Sequence, residues 1–255
     1  MKSLIGAPCQ PRQRWLEQGA ADYALDARRR NDTMSTMTQT LHTRPSTPDL
    51  PPLQAGDVLS RAEFERRWDR HPEIKKAELI DGMVYLEMTV SHKHAQAHGR
   101  LMTILGGYAT RMKNVEVLVD ATVRLGADDL QPDVTVRKVE GGGSQISSDD
   151  CVEGPPELCV EVAVSSASYD LHQKKESYRR GRVPEYLVWQ VFEQRIDWWA
   201  LDGDDYVALE ADGDGIVESK VFPGLRLDVA AMLAGDMGRA LDAPSSQPTG
   251  FPPAG

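Results

Sequence analysis

In "LQPDVTVRK" (Leu130–Lys138) an acid, Asp133, stands directly behind a proline and ahead of the β-branched run Val134, Thr135 and Val136. The run reads as a packed strand, and proline is tolerated at the first residue of one. Asp is also common in turns, so Asp133 would serve equally as the end of the loop that opens at Gly126 and Asp128. A second stretch bears on the choice. In "ELCVEVAV" (Glu157–Val164), Glu161 interrupts an apolar strand, where an ionised carboxylate is costly unless it is paired or binds a cation. Strand alternation puts Cys159, Glu161 and Ala163 on one face and Val160, Val162 and Val164 on the other. If this strand lies beside Val134–Val136, both acids approach one divalent ion, and such oxygen ligands suit Mg2+ or Mn2+. An Arg partner at a strand edge would satisfy Glu161 without a metal.

Composition narrows the field. The 255 residues suffice for one domain with tails and a sizeable core. The net charge of -10 argues against a protein that coats nucleic acid with a basic surface, though not against an enzyme with a local acidic centre. Local positive charge gathers in "HQKKESYRRGR" (His172–Arg182), which reads either as phosphate contacts or as a solvated helix face. Three cysteines, Cys9, Cys151 and Cys159, show no metal-type spacing and imply a reducing cytoplasm. No apolar run is long enough for a membrane span or a signal-peptide core.

The chain divides by composition. Residues 1–57 are rich in mixed charge, Pro, Ser and Thr and are expected to be disordered, with Met34 and Met37 as alternative translation starts. Residues 243–255 are expected to form a second disordered tail, which leaves 58–242 as the folded domain. Ser60 three residues before Glu63 opens a helix as a capping box. Asp81-Gly82 between two apolar runs in "AELIDGMVYLEM" signals a hairpin. A helix fits from Ser91 to about Lys113, and strands fit "VEVLVDATVRL", "PDVTV" and "ELCVEVAV". A helix over Tyr169–Arg180 and a strand at "EYLVWQV" complete an αβββαβ order. Three further strands, "RIDWWAL", "DYVAL" and "SKVFPGLRLDV", and a closing helix "VAAMLAGDMGRAL" extend it. Trp198 and Trp199 alternate across one strand, so at least one needs cover from the C-terminal elements or from a second copy in a homodimer.

Two carboxylates on neighbouring strands of an αβββαβ core, the first in a Pro-Asp, resemble the PD-(D/E)xK nuclease superfamily. Its usual pattern has a lysine two residues after the second acid, where this sequence has Ala163. In the following helix Lys174 and Lys175 flank the face set by Leu171 and Tyr178, and spacing alone does not choose between them. The joint order of "AELIDG", "SHKH", "PDV", "PELCVEV", the D-x-x-x-K-x-x-x-Y of Asp170–Tyr178 and "GRVPEYLVW" is similar to the Uma-type family of restriction endonucleases. The resemblance covers about residues 60–190. It implies a restriction-endonuclease-like α/β fold with a mixed sheet, an added N-terminal hairpin and a C-terminal antiparallel extension. It also implies a lysine moved to the helix, Lys174, with Asp133 and Glu161 as the Mg2+ or Mn2+ ligands and Glu78 as an upstream acid. Ser91 and His94 match the short S-x-x-H motif; with Lys175 and Tyr178 they are the expected substrate contacts. Two departures are "VEVAVSSAS", which lacks a Ser-Pro, and Arg182 within "GRVPEY". The implied reaction is phosphodiester hydrolysis in nucleic acid, with DNA the expected substrate.

Two other classes compete. His92, His94 and His98 in "SHKHAQAH" have a spacing compatible with a zinc hydrolase, but without the Glu of an HExxH base. A non-catalytic interaction protein that keeps the nuclease fold would also fit the acidic surface and the absent strand lysine.

Overall fold

The computed structural model describes residues 50–86, 90–164 and 166–242. The tails expected to be disordered fall outside these residues, except for residues 50–57. Within that piece Leu53 is buried, and the Gly56 amide donates to Val84 O at 2.8 Å, so packing starts ahead of residue 58.

A central sheet holds six strands in the order β12-β11-β10-β9-β6-β3. They are β3 (Val115–Val119), β6 (Val134–Lys138), β9 (Leu158–Ala163), β10 (Glu185–Gln190), β11 (Arg195–Asp202) and β12 (Asp205–Ala208). β9 and β10 pair in parallel; the other neighbours are antiparallel. A parallel pair needs a crossover, and residues 167–180 supply it. That crossover comprises α3 (Ala167–Tyr169), a π-helical turn (Asp170–Lys174) and α4 (Lys175–Arg180).

A second six-stranded sheet is assembled from hairpins. It contains β1 (Ala77–Ile80), β2 (Met83–Leu86), β4 (Val123–Leu125), β5 (Asp128–Leu130), β7 (Gln145–Ile146) and β8 (Val152–Glu153), in the order β2-β1-β5-β4-β8-β7. The hairpin at Asp81-Gly82 forms as expected, with φ of 51° and 76°. The stretch "VEVLVDATVRL", expected as one strand, is two. Asp120 at φ 50° turns the chain between β3 and β4, and β4 leaves for the second sheet. The αβββαβ order therefore survives as the helix His92–Ala109, β3, β6, β9, the crossover and β10, with β4, β5, β7 and β8 as excursions.

Helix α1 (Arg61–Trp68) is capped by Ser60, and α2 (His92–Ala109) by Ser91. One face of the central sheet packs Val134, Val136, Val160 and Val162 against Leu101, Leu105 and Tyr108 of α2. The C-terminal elements β13 (Ile216–Glu218), β14 (Arg226–Asp228), α5 (Val229–Ala234) and α6 (Met237–Asp242) close that core. The expected closing helix is broken at Gly235, whose φ of 78° ends α5. The opposite face joins Cys159, Ala163 and Val188 to Tyr178, Ile80 and Leu130, so the crossover and second sheet form one more layer. Trp198 is buried in the first core, and Trp199 stacks on Tyr186 at 5.9 Å. Both are covered inside the chain, so this strand does not itself demand a partner. Among the described residues no helix is long and apolar enough to cross a membrane.

Candidate active site

The acid cluster lies between the two sheets, and strand alternation places its members. On β1, Ala77 and Leu79 face the core under α1, so Glu78 and Ile80 face the central sheet. On β9, Val160 and Val162 face α2, so Glu161 shares the crossover face with Cys159 and Ala163. The β6–β9 register pairs Val134 with Val160; one step further along it, Asp133 stands opposite Glu161. Lys174 comes from the π-helical turn, a feature frequent at functional sites.

Lys174 stands at the centre. Its Nζ lies 3.0 Å from Glu78 Oε2, 3.1 Å from Glu161 Oε1 and 3.6 Å from Asp170 Oδ1. The Tyr178 hydroxyl donates to the same Glu161 oxygen at 2.9 Å, and the Gln131 amide donates to Glu78 Oε1 at 2.8 Å. Asp133 is held separately: Oδ2 accepts from the Val162 amide at 2.7 Å and lies 3.1 Å from His94 Nε2, while Oδ1 accepts from Lys76 Nζ at 3.1 Å. Glu78, Asp133, Glu161, Asp170 and Lys174 are each no more than 3% exposed.

Burial and charge work against each other here. Burial pushes the Glu161 carboxyl well above the usual range; Lys174 opposes this, while Asp170, Asp133 and Glu78 add to it. Asp170 is raised to about 6 by burial despite Lys174. Burial would also raise Asp133, but the His94 hydrogen bond, the Lys76 charge and the Val162 amide together hold it well below the usual range. Lys174 would lose its proton through burial, yet Glu161, Glu78 and Asp170 keep it firmly charged.

All four residues expected to be catalytic are thus buried between the sheets, though not as one metal-ready group. Among the described residues no three His, Cys, Asp or Glu side chains stand in metal-holding geometry. The donor set nonetheless fits a hard divalent ion. Four buried acids, Glu78, Asp133, Glu161 and Asp170, outnumber the two lysines among them, Lys174 and Lys76. Asp133 and Glu161 also face each other in the register.

The expected substrate contacts divide. His94 reaches Asp133 and Tyr178 reaches Glu161, so both brace the acids; Tyr178 is fully buried. Ser91 caps α2 by accepting from the His94 amide at 3.2 Å. Lys175 lies on the other flank of the crossover, its Nζ 3.6 Å from the centre of the Trp199 ring. The arginines of "HQKKESYRRGR" are engaged as well: Arg179 with Glu176, Arg180 with Asp81 and Asp128, Arg182 with Asp204. The zinc-type trio does not assemble. His94 and His98 have ring centres 6.0 Å apart, but His92 is exposed and His94 is committed to Asp133.

Sequence reading missed Lys76, and it gave Asp170 no role beyond opening the D-x-x-x-K-x-x-x-Y motif. Asp170 had a signal, the i,i+4 spacing to Lys174. Lys76 had none, because its contact with Asp133 spans 57 residues.

The Uma2 family model, described as "Putative restriction endonuclease", matches residues 61–230. No curated protein matches the chain. A solved structure described as a "putative nuclease belonging to DUF820", from Anabaena variabilis, aligns with a TM-score of 0.56 over 69% of this chain and 98% of that one. Their identity is 11%, so the likeness speaks for the fold alone. With two thirds of its length matched by one family model, the chain belongs to the Uma2 family.

Proposed function

We propose that the protein is a metal-dependent endonuclease that hydrolyses phosphodiester bonds in DNA. The observation that carries this reading is the convergence of Glu78, Glu161 and Asp170 on one buried lysine, with Asp133 facing Glu161 from the next strand. Asp133 and Glu161 would hold Mg2+ or Mn2+, which supplies Lewis-acid polarisation of the scissile phosphate. His94 and the Val162 amide keep Asp133 oriented and ionised. Tyr178 and Lys174 orient Glu161, and Glu78 fixes Lys174 from the second sheet. The Lys174 ammonium offsets negative charge that develops on the phosphate and orients the attacking water. Lys76 is the more accessible cation beside Asp133, at 13% exposure, and offers a contact to the phosphate itself.

The test is cleavage of a mixed panel of single- and double-stranded DNA and RNA by the full chain, with Mg2+, with Mn2+ and with chelator. Metal-dependent cuts in DNA that chelator abolishes are the expected result. Absence of cleavage with every substrate and metal would favour an interaction protein that retains the nuclease fold.

A further inference from the structure

We infer that Phe192 and Lys93 form a stacking site for an unpaired base of single-stranded DNA beside the acid cluster. The inference rests on the nuclease reading and adds a substrate class to it. β10 ends at Gln190, and the next amide, Val191 N, donates to Ala163 O at 2.9 Å. The turn at residues 191–194 therefore sits at the carboxyl ends of the parallel pair β9–β10, two residues past Glu161. Ligands of α/β sheets bind at such strand ends.

Two features fix that turn. Val191 is buried in the core, and Gln194, at φ 50°, returns its side-chain amide to Val191 O at 2.7 Å. Between them Phe192 is 58% exposed, the one aromatic among the large apolar side chains exposed in the described residues. A lone exposed apolar residue is ordinary on a soluble protein. Phe192 differs by what flanks it. Lys93 Nζ lies 4.7 Å from the ring centre, within cation–π range. Lys93 belongs to the first turn of α2, immediately before the His94 that contacts Asp133.

An exposed ring with an ammonium over it matches a nucleotide, base to ring and phosphate to cation. In a duplex the base faces are already stacked, so the ring selects an unpaired strand.

The experiment measures binding of a labelled single-stranded DNA oligonucleotide to the full chain in chelator, where metal-dependent cleavage is suppressed. Wild type is compared with Phe192→Ala, Phe192→Leu and Phe192→Trp, and the same sequence is tested as duplex DNA and as RNA. Phe192→Ala and Phe192→Leu are expected to weaken single-strand binding about tenfold, the scale of one base–aromatic stack, and Phe192→Trp to preserve it. Duplex binding is expected to change little. Unaltered binding by Phe192→Ala, full retention by Phe192→Leu, equal losses on duplex, or a preference for RNA would each overturn the proposal. Cleavage of DNA by a wild type that does not bind single strands would overturn the stacking site alone. Loss of all cleavage with Phe192-dependent binding intact would overturn the nuclease reading instead.

Discussion

Lys174 and Lys175 are adjacent in sequence and opposite in environment. The sequence places both on the flanks of one helix face, and angles on a regular helix leave them equivalent. The structure separates them by depth: Lys174 is 1% exposed among three acids, whereas Lys175 is half-buried on Trp199. Methionine at Lys174 leaves Glu78, Glu161 and Asp170 without their common cation. Uncompensated buried charge of this kind costs about 3–5 kcal/mol. Lys175→Met loses mainly a cation–π contact, about 0.5–1 kcal/mol. Urea denaturation of both variants should show this order, and equal midpoints would mean that Lys174 is not the keystone of the cluster. Lys76 shows the opposite limit of legibility, since nothing local in "KKAELI" announces its bond to Asp133.

Helix α1 meets the second sheet through charge as well as through Phe64. Arg124 on β4 lies 2.9 Å from Glu65 on α1, and Arg61 Nε lies 3.9 Å from Asp129 Oδ1 on β5. Burial, then the neighbouring Glu65, pushes the Asp129 carboxyl up to about 7 against the pull of Arg124 and Arg61. A carboxyl raised in the folded state binds a proton that the unfolded chain has already released. Its stabilisation is complete below the ordinary carboxylate range and is lost as pH rises through about 7. Tm of the wild type should therefore fall between about pH 4 and pH 7 by more than that of Asp129→Asn, and parallel curves would remove Asp129 as the cause. Such elements also mark where sequence patterns succeed and stop. The helix start at Ser60 and the Asp81-Gly82 hairpin are local, and they formed as read, whereas the cap at Ser91 came only with the structure. The division of "VEVLVDATVRL" depends on Asp120 adopting positive φ and on a second sheet built from distant hairpins, neither of which alternation reports.

At the scale of the whole molecule, the acid cluster joins parts that share no sequence neighbourhood: Glu78 from the second sheet, Asp133 and Glu161 from the central sheet, Lys174 from the crossover and His94 from α2. On the proposed function, a divalent ion would offset its excess of buried carboxyl over ammonium and so stabilise the fold. At a hundredfold excess over Kd such linkage is worth about 2.7 kcal/mol, a rise of several degrees in Tm. Mn2+ should raise Tm of the wild type and leave that of Asp133→Asn unchanged; equal rises in both would place the ion elsewhere. Metal-dependent turnover on DNA tests whether these acids serve the hydrolysis. Asp133→Asn and Glu161→Gln preserve shape and remove charge, and each should lose about 10²-fold or more, the scale of removing one electrostatic group from a reacting centre. Lys175→Met, on the far flank of the crossover, should stay close to wild type. A wild type that cleaves DNA, with both carboxylate variants folded and equally active, would contradict the account.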